Sequence, residues 1–151
     1  MTLGPAERDT TALVVAKKRI LFVDDEATFL VSLQYLLRTD RERWHMVFAL
    51  GGPRGIDEVR NQHFDLVVSD LQMPGIDGTT LLSVIKRESP AMAHVVFAGH
   101  ADREKISRSV PELGEVLTKP WEVAALCAAI ERSLDGAELL RHRETERGTA
   151  R

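Results

Sequence analysis

FDLVVSDLQMPGIDG, residues 64–78, is the stretch on which the fold turns. Its first six residues form an apolar run of strand length that stops at Asp70. The segment after it, with Pro74, Gly75, Asp77 and Gly78, is rich in turn formers, and helical spacing resumes at about Thr79 and ends before Pro90. Strand, acidic residue, loop and helix therefore follow in that order. The same order recurs upstream. RILFV at 19–23 runs into Asp24, Asp25 and Glu26, after which Phe29, Leu30, Leu33, Leu36 and Leu37 recur at helical spacing. HMVFAL at 45–50 stops at Gly51-Gly52-Pro53, and a helix follows to about Asn61. Downstream, 94–97 is a fourth strand, 101–110 a polar helix, 115–118 a short fifth strand and 121–134 an amphipathic helix.

Strands alternating with helices through short connections predict an α/β fold, a doubly wound five-stranded parallel sheet with helices on both faces. Ligands in such sheets sit beyond the carboxyl ends of the strands. The residues just after each run are therefore the candidates: Asp24 and Asp25, Asp70, Ala98 and Gly99, and Lys119 before Pro120.

The chain of 151 residues is long enough to bury a core without staples, and residues 18–135 are expected to form one domain. Residues 1–17 lack a sustained period and are expected to be a tail. Residues 136–151, with Leu139 and Leu140 among mixed Arg and Glu, are expected to be a helical extension or a second tail. A formal net charge of -3 offers no field for nucleic acid. No apolar stretch is long enough to span a membrane, and Glu7, Arg8 and Asp9 interrupt any secretory core. The single cysteine, Cys127, sits in a helical apolar pattern and fits core packing in a reduced compartment, so a cytoplasmic location is expected.

Any one of these acids, taken alone, reads as a cap or turn residue. Together they repel, and a shared positive charge must compensate. A hard divalent cation with oxygen ligands does this, and magnesium keeps water while using one or two carboxylates and phosphate oxygens. Asp25 and Asp70 are the expected direct ligands, with Asp24 holding a metal-bound water and the Gln72 carbonyl completing the set. Lys119 would face phosphoryl oxygens as a mobile point charge. A carboxylate can itself be the nucleophile, forming an aspartyl phosphate. The five histidines show no metal-ligand spacing, and Trp121 reads as a packing residue.

LFVDDE at 21–26, SDLQMPGIDG at 69–78, GHAD at 99–102 and TKPW at 118–121 stand in the order and spacing of a known family. The sequence resembles the CheY-like, flavodoxin-like (βα)5 receiver domain of bacterial two-component response regulators. That resemblance implies Asp70 as phospho-acceptor, Asp24 and Asp25 as the acidic metal-binding pair and Lys119 as the phosphoryl-binding lysine. It also implies a histidine kinase or phosphotransfer protein as donor. A downstream protein, unknown from the sequence, would dock on the face formed by the polar helix, the fifth strand and the last helix, and a homodimer is left open. Two positions depart from the pattern. Ala98 stands where the family has a switch hydroxyl, which leaves the Gly99 amide as the donor to the phosphoryl group there, and Val116 stands where the family has a switch aromatic. Gln72 and His100 occupy positions that tune hydrolysis of the aspartyl phosphate in the family. The departures leave open a phosphorylation-independent interaction module. A phosphatase of the haloacid-dehalogenase type would need a second Asp where Gln72 stands, so no enzyme activity is expected.

Overall fold

The strand-length runs of the sequence assemble into one parallel sheet of order β2-β1-β3-β4-β5. The computed structural model describes residues 16–73, 75, 78–99 and 114–149. Residues 1–15 of the tail expected over 1–17, the polar helix expected over 101–110, and His100 lie outside them. In chain order the elements are β1 (Lys18–Asp24), α1 (Ala27–Leu36), a 3-10 turn (Arg38–Glu42), β2 (Trp44–Leu50), α2 (Gly52–Asn61) and β3 (Leu66–Asp70). They continue with α3 (Gly78–Glu88), β4 (Ala93–Ala98), β5 (Glu115–Thr118) and α4 (Val123–Thr149). The fold is the expected flavodoxin-like one.

Period-two alternation divides each strand between two apolar layers. Leu21, Val23, Val67, Val96 and Ala98 join Val59 of α2 and Leu81, Leu82 and Ile85 of α3 on one face. Ile20, Phe22, Leu66, Val68, Val95 and Phe97 join Leu30 and Leu33 of α1 and Leu126, Ala129, Ile130 and Leu134 of α4 on the other. Central strands buried on both faces explain why the sequence shows continuous apolar runs rather than alternation.

Chain direction reverses its winding between β1 and β3. The sheet grows one way from β1 to β2 and the other way through β3, β4 and β5, which opens a crevice at the carboxyl ends of β1 and β3. Gly51 secures one side of it. Its φ of +86° suits glycine, and its N–H donates to the Asp24 carbonyl at 2.8 Å, fixing the end of β1.

Element ends shift by one or two residues from the sequence reading, and of the two forms expected for 136–151 the described residues take the helical extension. β3 begins at Leu66 rather than Phe64, because the Asp65 carboxylate accepts the Arg19 N–H at 2.8 Å in place of a ladder bond. The last helix runs unbroken past Leu134 and through Gly136 to Thr149. A mid-helix glycine costs about 1 kcal/mol, and strong helix formers such as Glu138, Leu139, Leu140 and Arg141 offset it. No helix among the described residues is long and apolar enough to cross a membrane.

Candidate functional site

The strand alternation that buries Phe22 and Val68 carries on to Asp24 and Asp70, the last residues of β1 and β3. Both carboxylates therefore rise at the switch point, on the side of the sheet covered by α1 and α4. Asp24 is 4% exposed. Asp25 follows it in the turn to α1, and its side chain is open to solvent. Oxygens of Asp24, Asp25 and Asp70 lie within 4.8 Å of one another.

The loops hold these acids in place by local hydrogen bonds. Asp24 Oδ1 accepts the Glu26 N–H at 2.9 Å, and Asp70 Oδ1 accepts the Gln72 N–H at 3.1 Å. Each is the Asx-type turn that an aspartate at a strand end forms readily. The Leu71 N–H donates to the Phe97 carbonyl at 2.9 Å, which ties the loop after Asp70 to β4.

Lys119 comes from the far edge of the sheet. Its N–H donates to the Ala98 carbonyl at 2.9 Å, closing the β4–β5 ladder, and its Nζ donates to Asp70 Oδ2 at 2.9 Å. The Lys119–Pro120 peptide is cis. The Lys119 side chain is 48% exposed and that of Asp70 is 13% exposed, so the ion pair sits at the mouth of the crevice.

Electrostatics reflect this crowding. Burial, joined by the charges of Asp70 and Asp25, raises the Asp24 carboxyl from 3.8 to about 6, against the pull of the Glu26 N–H. For Lys119 burial acts downward, but the hydrogen bond and charge of Asp70 prevail and hold its ammonium above the ordinary lysine value. Three carboxylates with oxygens within 4.8 Å of one another are a donor set of the kind a hard cation takes. The residues present thus fit magnesium.

The structure brings together Asp24, Asp25, Asp70 and Lys119, with Gln72 in the loop after Asp70 and Gly99 directly after β4. Ala98 is fully buried on the opposite apolar face, and Val116 packs partly buried against the same layer. The sequence reading missed how the aromatic rings gather. Trp121 stacks on Phe97 with centroids 4.6 Å apart at 7°, and Phe29 meets both rings edge-on at 6.0 Å. The positions of Phe29 in α1 and Trp121 after Lys119 were the available signal, but nothing in the linear spacing pairs them.

Comparison with known proteins agrees with this architecture. The transcriptional regulatory protein FixJ of Bradyrhizobium diazoefficiens is 32% identical over 127 residues, covering 83% of this chain and 60% of FixJ. The transcriptional regulatory protein GlrR of Escherichia coli K12 is 31% identical over 117 residues, covering 77% of this chain and 26% of GlrR. The chain thus spans only part of these curated relatives. Among solved structures, a response regulator receiver domain protein from Clostridium thermocellum superimposes with a TM-score of 0.74 at 30% identity, covering 82% of this chain and 98% of that one. The family model for the response regulator receiver domain matches residues 20–131. A match of that extent, on a sheet of the same topology, makes this chain a member of the response regulator receiver domain family of two-component systems.

Proposed function

We propose that this receiver domain accepts a phosphoryl group on Asp70 with magnesium and signals through protein contacts. The observation that carries the reading is the Lys119 ammonium 2.9 Å from Asp70 Oδ2, beside the carboxylates of Asp24 and Asp25. Asp25, Asp70 and the Gln72 carbonyl would hold the metal directly, and Asp24 through a water. Bound magnesium would supply neutralisation of the charge gathered on the acids and on the incoming phosphoryl oxygens.

An Asp70 carboxylate oxygen forms the new bond to phosphorus as the bond from phosphorus to the donor breaks, and the electron pair leaves with the donor. With acetyl phosphate the leaving group is acetate, so no proton need move. Lys119 holds the phosphoryl oxygens by charge and the Gly99 amide donates to them, which lowers the cost of charge developing in transfer. The donor in a cell would be a histidine kinase or phosphotransfer protein, and the recipient of the signal a downstream protein or a second copy of the chain. No nucleic acid or membrane partner is proposed.

The decisive experiment is a phosphate-affinity gel of the wild type beside Asp70→Asn after treatment with acetyl phosphate and magnesium. A retarded band for the wild type alone is the expected result. A second reading has its own support: Ala98 offers no hydroxyl to a phosphoryl group and Val116 no ring to rotate. No retarded band would favour that reading, a phosphorylation-independent interaction module.

A further inference from the structure

We infer that Trp121 is a positioning residue for Lys119, fixing the loop that presents the ammonium to Asp70. The inference rests on the proposed function, since it concerns how that site is held together.

A lysine is a point charge on a flexible stem, so its placement depends on its backbone. Upstream, Lys119 is fixed by its N–H bond to the Ala98 carbonyl. Downstream, residues 119–122 belong to neither β5 nor α4. The anchor there is the indole of Trp121, stacked nearly parallel on Phe97. Phe97 is a firm base: it is 1% exposed, sits in β4 opposite Asp70 in register, and accepts the Leu71 N–H through its carbonyl. One residue thus supports the Asp70 loop with its backbone and the Lys119 loop with its ring.

The third arm of the site joins the same cluster. Phe29 lies in the first turn of α1, just after the Asp24-Asp25 turn, and contacts both rings edge-on at 6.0 Å. Edge-on and stacked contacts have preferred geometries, so the three rings restrict one another. Loss of the indole frees the Lys119 loop while leaving Asp24 and Asp70, which are set by their own Asx-type bonds to the N–H groups of Glu26 and Gln72.

The test uses the full chain as wild type, Trp121→Phe, Trp121→Ala, Lys119→Ala and the Trp121→Ala/Lys119→Ala double variant. The rate of labelling by acetyl phosphate is read on a phosphate-affinity gel, and magnesium affinity by thermal shift. Trp121→Ala should label about tenfold more slowly, within the roughly 10²-fold that a misplacement of the order of 1 Å can cost, with magnesium affinity within about twofold of the wild type. Trp121→Phe should recover most of the rate. The double variant should be no slower than Lys119→Ala, because a positioning residue has nothing to position once the lysine is gone.

Labelling of Trp121→Ala at the wild-type rate overturns the inference, and so does a double variant whose losses multiply. Loss of magnesium affinity in Trp121→Ala, or failure of Trp121→Phe to recover the rate, assigns the indole a general structural role and overturns it too. If the wild type takes no label, the proposed function itself fails and this inference with it.

Discussion

Lys119 and Asp70 are 49 positions apart in sequence and 2.9 Å apart in space, joined ammonium to carboxylate at the mouth of the crevice. An ion pair with a half-exposed partner contributes little to stability, typically under about 1 kcal/mol. Its value lies in where it puts a positive charge.

Lys119→Ala should therefore leave the melting temperature nearly unchanged and slow labelling by acetyl phosphate roughly 10²-fold, as removal of one pre-placed stabilising group does elsewhere. Thermal melts beside timed gels would separate the two effects. A large fall in melting temperature would show that the lysine is structural.

Magnesium should raise the melting temperature, because the three-acid cluster exists only in the folded chain. At a hundredfold excess over the dissociation constant the gain is about 2.7 kcal/mol. A chelator should reverse it, and Asp25→Ala should abolish it. A shift that survives in Asp25→Ala would place the metal elsewhere.

Asp24 sets a pH dependence whose sign follows from its raised carboxyl, 3.8 when unfolded and about 6 when folded. The folded state binds the proton more tightly, so in chelator the contribution is fully present below about pH 4 and is lost as pH rises through 6. The loss is at most about 3 kcal/mol, less whatever solvent at the open rim screens. Magnesium competes with that proton, so its affinity should strengthen over the same window. Melts from pH 4 to 7 with chelator should lose this slope in Asp24→Asn, and an unchanged slope would assign it to another group.

Ala98→Ser restores a hydroxyl at a fully buried position. In the unmodified protein a poorly partnered hydroxyl there should cost about 1 kcal/mol or more. With magnesium and beryllium fluoride, a phosphoryl mimic, a charged acceptor becomes available and the deficit should shrink or reverse. Melts of both proteins in both states measure the difference. An equal deficit in the two states would mean that the residue at 98 does not reach the phosphoryl group.

Gly55→Ala tests the packing behind the acidic turn. A Cβ at 55 would lie 2.8 Å from Cγ2 of Val23, the residue before Asp24. Crowding of that kind costs about 1–3 kcal/mol. Denaturant melts should show the loss, and Gly55→Ala combined with Val23→Ala should recover part of it.

Much of the architecture was legible because buried parallel strands leave unbroken apolar runs, as RILFV at 19–23 and FDLVVS at 64–69 do. Boundaries were less so. Phe64 looked like strand, yet Asp65 spends its carboxylate on the Arg19 backbone and shifts the start of β3 to Leu66. Residues 136–151 read equally as helical extension or tail, and the helix passes through Gly136, since a penalty of about 1 kcal/mol is small beside the propensity of the residues that follow.

By itself the sequence determined the alternation of strands and helices, the acids and the lysine at strand ends, and the presence of alanine at 98 and valine at 116. These are local properties, carried by side-chain period and residue identity. Only the tertiary structure decided that Asp24, Asp25, Asp70 and Lys119 share one crevice and that Phe29, Phe97 and Trp121 share one cluster. Strand order and register set those meetings, and hydrogen bonds between distant segments fix both.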